Sequence, residues 1–134
     1  MPYPWMDEYF MNLRGTHKDY QPDWQAIRYF LADKMYAMIG CDKSGRQIVT
    51  LKCDPIFAEM LRKQYEDIIP GYYMNKQHWN SLYLEGNVPD SVLKDMIDMA
   101  HRLVLEKLPK KKRDSLSATQ EIGNDNRRSA DDCP

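Results

Sequence analysis

A chain of 134 residues, with 43% hydrophobic and 29% charged side chains, is long enough to bury one core and too short for two. Its formal net charge of -1 and pI near 6.3 exclude a surface that grips nucleic acid over its whole area, so any phosphate-binding patch must be local. Three cysteines, Cys41, Cys53 and Cys133, an odd number without C-x-x-C spacing, point to reduced thiols in a cytoplasm rather than a disulfide framework or a zinc site, and no apolar run approaches a membrane span.

The first helix is predicted from about Pro4 to just before Gly15, with Trp5, Met6, Tyr9, Phe10 and Leu13 on one face and Asp7 and Glu8 complementing its positive end. From Trp24 the period changes to two, in WQAIRYFL and KMYAMIG, with Ala32 and Asp33 as a tight connection, which reads as a hairpin. The polar turn CDKSGR leads to a third strand, QIVTLKC. Asp54 as N-cap and Pro55 at the first helical position then start a helix. Its buried stripe is expected to be Ile56, Phe57, Met60, Leu61 and Tyr65, and Pro70 and Gly71 close the segment.

The stretch PGYYMNKQHWNSLYLEG follows, and WNSLYLEG within it has strand character. Pro89 and Asp90 announce a last helix whose apolar stripe is Val92, Leu93, Met96, Ile97, Ala100, Leu103 and Val104. Pro109 interrupts it before KKKRD. Beyond Leu116 the sequence is polar and holds one large aliphatic residue, Ile122, so residues 1–116 are expected to form one domain and 117–134 a flexible tail. Met35, Met38, Met60, Met96 and Met99 lie within apolar periodic segments, where they read as core filling.

This order, a helix, a three-stranded meander, a helix, at least one further hairpin and a long helix, predicts an α+β two-layer sandwich. Helices pack on one face of an antiparallel sheet and leave the other face open.

The blocks LKCDP, IIPGYYMNKQHWNSLYLEG and LVLEKLPKK resemble the MmcQ/YjbR family of small bacterial proteins. The most specific run is filled by Pro70, Gly71, Met74, Asn75, Lys76, His78, Trp79 and Asn80, with Lys52 and Asp54 upstream. The resemblance implies a fold similar to frataxin and its bacterial CyaY counterpart, with a twisted antiparallel sheet backed by helices. It also implies a DNA-binding protein with a double-wing arrangement of hairpins. It brings no catalytic residues and no cofactor.

Alternation along WNSLYL places Trp79, Ser81 and Tyr83 on one face and Asn80, Leu82 and Leu84 on the other. With the leucines toward the helices, Trp79 and Tyr83 point to the open face. By the same rule Val49, Leu51 and Cys53 point inward and Ile48, Thr50 and Lys52 outward, which brings Lys52 near the aromatic pair. A cation beside flat rings suits phosphate contact and base stacking, and Arg28 adds a partner if it shares that face. In the competing interpretation Trp79 is core and Asn75, Lys76 and His78 fix a turn.

Lys43 and Arg46 in one turn and Lys76 in another form the candidate wings, contacting phosphate without reading bases. Lys110, Lys111, Lys112 and Arg113 make the densest run of positive charge, either a solvated helix end or, with Arg127 and Arg128, a non-specific attractor of phosphate. His17, His78 and His101 lack metal-ligand spacing, and His101 is expected on the polar side of the last helix. No Gly-rich phosphate loop or nucleophile motif occurs, so the sequence reads as non-enzymatic.

The sequence therefore reads as a cytoplasmic, monomeric module that binds DNA weakly and largely non-specifically, without cofactor or metal. The alternative is a frataxin-like adaptor that docks a partner protein on the open sheet face, since NKQHW resembles the N-K-Q-x-W stretch of frataxins. Iron is not expected to accompany it, because Asp7 and Glu8 are the only acids of the first helix.

Overall fold

A computed structural model describes residues 3–72 and 74–116; the segment 117–134, with Arg127, Arg128 and Cys133, lies outside them. The described chain runs α1 (Met6–Asn12), β1 (Thr16–Gln21), β2 (Ala26–Leu31), β3 (Lys34–Cys41), β4 (Gln47–Lys52), α2 (Pro55–Gln64), β5 (Ile68–Pro70), β6 (Trp79–Tyr83) and α3 (Asp90–Lys107). A further helical turn covers residues 110–116. The strands form one six-stranded sheet in the order β1-β2-β3-β4-β6-β5, and every neighbouring pair is antiparallel.

The predicted α+β architecture is therefore present, with one more strand in the meander. β1 escapes a periodicity search because THKDYQ has no aliphatic residue to alternate. It is held by its register with β2, and on the inner side by Lys18, whose ammonium reaches the Asp7 carboxylate of α1 at 2.9 Å. Asp7 also accepts the Tyr29 hydroxyl at 2.7 Å, so it ties the first helix to two strands as well as complementing the helix dipole.

Between α1 and β1 the chain turns through Gly15 at φ +73°. A side chain is disfavoured there twice over: the backbone is left-handed, and a Cβ would lie 2.8 Å from the Leu31 side chain.

The core lies between the helices and one sheet face. Phe10 stacks on Tyr29 with ring centroids 4.0 Å apart, and Val49, Leu51, Leu82 and Leu84 meet Leu93, Met96, Ile97, Ala100 and Val104 of α3. Each large aliphatic side chain removed from water in this way contributes about 1.5–3 kcal/mol. β3 carries a bulge opposite Tyr29 and Phe30. Tyr36 is the extra residue, and both Tyr36 and Ala37 are fully buried in the core.

Two predicted stripes need correction. Asp54 caps α2, its carboxylate accepting the N–H groups of Ile56 and Phe57. The helix then buries Ala58 and Leu61, leaving Ile56 82% and Met60 50% exposed. Ala58 wins because its small side chain lets the helix approach β6, where the Asn80 amide donates to the Ala58 carbonyl at 3.2 Å. His101 lies on the buried side of α3 and not on its polar side. Its Nε2–H donates to the Arg14 carbonyl at 2.7 Å, with the Tyr36 ring edge-on.

Candidate nucleic-acid interface on the outer sheet face

The sheet's second face is built as alternation requires. Arg28 pairs with Asp19 and Met38, and Met38 with Thr50, which in turn pairs with Ser81. The Thr50 and Ser81 hydroxyls bond each other at 2.7 Å. Thr50, Ser81, Ile48 and Met38 are nevertheless buried. The loop after β5 explains part of this: the Tyr72 N–H donates to the Ser81 hydroxyl at 2.9 Å, and the Tyr72 hydroxyl accepts the Lys43 N–H at 3.1 Å. The face is partly roofed, and the roof is the Gly71–His78 stretch.

Arg62 of α2 pins that roof at its far end. Its guanidinium donates to the Asn80 side chain at 2.7 Å, to the Trp79 carbonyl at 3.2 Å and to the Lys76 carbonyl. Asn75 accepts the N–H groups of Gln77 and His78 through its side-chain oxygen, which is the turn-fixing role. The Lys76 ammonium approaches the Gly71 carbonyl at 3.4 Å. The His78 carbonyl accepts the Cys53 N–H at 2.7 Å, while the residue itself is exposed. Gly71 is forced by crowding: a Cβ there would sit 2.5 Å from the Trp79 Cβ.

Trp79 is half-buried on the outer face, with the Lys52 ammonium 5.6 Å from its ring centroid. Burial, first, and then repulsion from Lys107 and Lys34 push the Lys52 pKa below the ordinary lysine value. Lys34 and Lys107 are thus within electrostatic reach of Lys52, and the exposed Lys110, Lys111 and Lys112 follow Lys107 after Leu108 and Pro109, with Arg113 half-buried and its carbonyl accepting Arg14.

The remaining candidates lie elsewhere. Lys43 and Arg46 belong to the β3–β4 turn, shaped by the Asp42 carboxylate, which accepts the N–H groups of Ser44 and Arg46. Arg46 and Lys52 are six positions apart along the chain, roughly 20 Å at strand rise. The Arg46 guanidinium is 3.6 Å from the Tyr83 ring centroid. Arg28 is on the outer face as anticipated, but the Asp19 carboxylate holds it at 2.8 Å. The sequence-read patch is therefore two cationic ends of one sheet, joined by the roof.

Sequence reasoning missed Lys34 and Lys107, distant in the chain, which the fold brings within electrostatic reach of Lys52. It also missed a cleft of about 480 Å³ whose lining includes Trp24, Met38, Ile48 and Met74. The available signal was Trp24, a large aromatic in a polar turn. Among the described residues no group of histidines, cysteines and acids is arranged to hold a metal ion, and no helix is long and apolar enough to cross a membrane. Cys41 is exposed, whereas Cys53 is buried, which pushes its thiol up to about 11.

Comparison with known proteins gives a consistent relationship. A family model described as YjbR matches residues 11–103. The Escherichia coli K12 protein YjbR is 34% identical, over 79% of this chain and 89% of the relative. The Bacillus subtilis protein YyaQ is 33% identical, over 66% of this chain and 86% of its own length. Among solved structures, a Deinococcus radiodurans protein with a DUF419 domain superposes with a TM-score of 0.73 at 27% identity, covering 83% of this chain and 84% of that one. A Pseudomonas syringae protein gives a TM-score of 0.64 at 25% identity, covering 77% and 98%.

Proposed function

The chain belongs to the YjbR family, and from that premise we propose that it is a nucleic-acid-binding module without a catalytic step, contacting phosphate at the Lys52 end of the sheet. The observation that carries this reading is the Lys52 ammonium, held beside Trp79 while Lys34 and Lys107 repel it. A folded protein places three like charges together at a cost in free energy, and a phosphate among them turns that cost into binding. Lys110, Lys111, Lys112 and Arg113 extend the cationic surface, Lys76 and His78 border it on the roof, and the exposed part of Trp79 offers a ring for stacking. Lys43 and Arg46 form a second, separate contact.

The test is fluorescence anisotropy of labelled single-stranded and duplex DNA against the full chain, titrated with salt. Each neutralised phosphate contributes a log–log slope of about -0.7 for single strands and about -0.9 for duplex. Lys52→Met is expected to flatten the slope by about one such unit. Binding that ignores salt, or none at low salt, overturns the proposal.

A further inference from the structure

The outer face also carries a row of flat groups that the phosphate contact does not use. His17 stacks on Phe30 with centroids 5.4 Å apart and planes 11° from parallel. The Arg28 guanidinium lies 5.1 Å from the Phe30 ring and 5.5 Å from Trp24. Trp24 ends the row, 56% exposed, and borders the cleft.

The cleft has a built shape. Ala26 and Gly40, small residues on adjacent strands, make a hollow in the sheet surface, and Met38 and Ile48 flank it. Met74 of the roof faces Trp24's side of the sheet, offering a polarisable thioether to an aromatic guest. At about 480 Å³ the space falls within the size of small-molecule sites.

Besides the Trp24 indole, the polar side chains of its lining are Asp23 and Cys41. Asp23 contributes a carboxylate, which accepts hydrogen bonds and donates none when ionised. No cation lines the cleft, and Arg28, next to Trp24, is already engaged by Asp19, so the cleft itself is not a phosphate site. We infer that this cleft binds a flat, amino-bearing heteroaromatic ring of the nucleobase kind, stacked on Trp24 with its amino group toward Asp23.

Such a ring arrives with a sugar and a phosphate, and the register supplies a place for them. Ile48 pairs with Gly40 on one side and Tyr83 on the other, so Arg46, above Tyr83, stands beside the cleft. The β3–β4 turn thereby gains a role distinct from the Lys52 end. The ring can come from an unpaired base of a strand or from a free nucleotide. The inference rests on the proposed function for the first source only.

The experiment titrates the isotopically labelled full chain with adenosine, with adenosine monophosphate and with a single-stranded oligonucleotide carrying one 2-aminopurine. Amide and indole N–H shifts and 2-aminopurine fluorescence are the readouts. The Gly40 amide and Trp24 indole are expected to shift, and Trp24→Ala, at an exposed position that the fold does not need, to weaken binding by about tenfold or more while leaving the salt slope unchanged. Gly40→Ala adds a methyl 3.5 Å from the Ala26 Cβ, an ordinary contact, and is expected to weaken binding by partly filling the hollow.

No shift at Gly40 and Trp24 with any of the three probes overturns the inference, as does unchanged binding by Trp24→Ala. If the oligonucleotide binds and only the Lys52 end responds, the cleft assignment fails and the proposed function survives. If adenosine or its monophosphate fills the cleft while no oligonucleotide binds, the cleft assignment stands and the proposed function falls.

Discussion

Tyr72 and Lys43, 29 residues apart, are joined by a 3.1 Å hydrogen bond in which the tyrosine hydroxyl accepts the lysine backbone N–H. The bond ties the roof, the loop with the most specific sequence run, to the cationic tip of the β3–β4 turn. Tyr72→Phe removes the acceptor and keeps the ring. The Lys43 amide is expected to exchange with solvent faster, with stability lowered by about 0.5–1.5 kcal/mol. Hydrogen exchange read by NMR checks this, and an unchanged Lys43 amide would show that the roof is held by its other contacts alone.

Lys52 separates binding from stability. Its pKa is lowered on folding, first by burial and then by Lys107 and Lys34. A lysine whose folded pKa lies below its unfolded one is charged at neutral pH at a cost to the folded state. Removing the charge in Lys52→Met is therefore expected to raise the thermal midpoint while weakening nucleic-acid binding. The same displacement predicts that affinity declines with rising pH earlier than an ordinary lysine would allow. Thermal melts and anisotropy at constant ionic strength measure both.

His101 gives a pH dependence of the same sign in the acid range. Burial is the first cause of its lowered pKa, and Arg14 opposes the charge as well, while the bond to the Arg14 carbonyl and the nearby Asp98 favour it. With the folded pKa below the unfolded value, stability is complete above about 6.5, the ordinary histidine value, and falls as the pH drops through it, because the unfolded chain takes up the proton first. Thermal midpoints from neutral to mildly acidic pH should fall in the parent, and less steeply in His101→Gln. Equal slopes would assign the acid sensitivity to other groups.

Gly71 is predicted to tolerate no side chain. In Gly71→Ala the new methyl would meet the Trp79 Cβ at 2.5 Å and the Trp79 carbonyl at 3.0 Å, both parts of a strand that cannot step aside. A loss of about 1–3 kcal/mol is expected, the range for overpacking, with altered Trp79 fluorescence. Urea denaturation followed at tryptophan emission reads both.

The elements legible in the sequence were those whose apolar period had one solution. α3 and the β2–β3 hairpin belong here, and so does the start of α2, where Asp54 and Pro55 act locally. The stripe of α2 had two phases, Ile56 with Met60 or Phe57 with Leu61, and only the close approach at Ala58 decides between them. His101 shared a phase with Ile97 and Val104, a signal outweighed by the usual polarity of its side chain.

At the candidate site, Lys52 beside Trp79 followed from strict alternation along β4 and β6. The approach of Lys34 and Lys107 to Lys52 did not, because Lys107 ends α3, which reaches the sheet only through the tertiary fold. The roof was hidden for the same reason: nothing local in PGYYMNKQHW says that Tyr72 reaches back to the Lys43 turn.

The bulge at Tyr36 acts as a phase shifter for β3. Because Tyr36 is inserted between the residues that pair with Phe30 and Tyr29, Met38 falls opposite Arg28 and Met35 opposite Phe30, three positions apart on one strand and two on the other. Deleting Tyr36 would leave composition and charge almost untouched and restore a regular ladder. The other residues of β3 would keep their partners and their sides, and the core would lose the ring that lies 6.0 Å from Phe10 and edge-on to His101. The extra residue thus lets one strand send two consecutive side chains, Tyr36 and Ala37, into the same core, which strict alternation forbids.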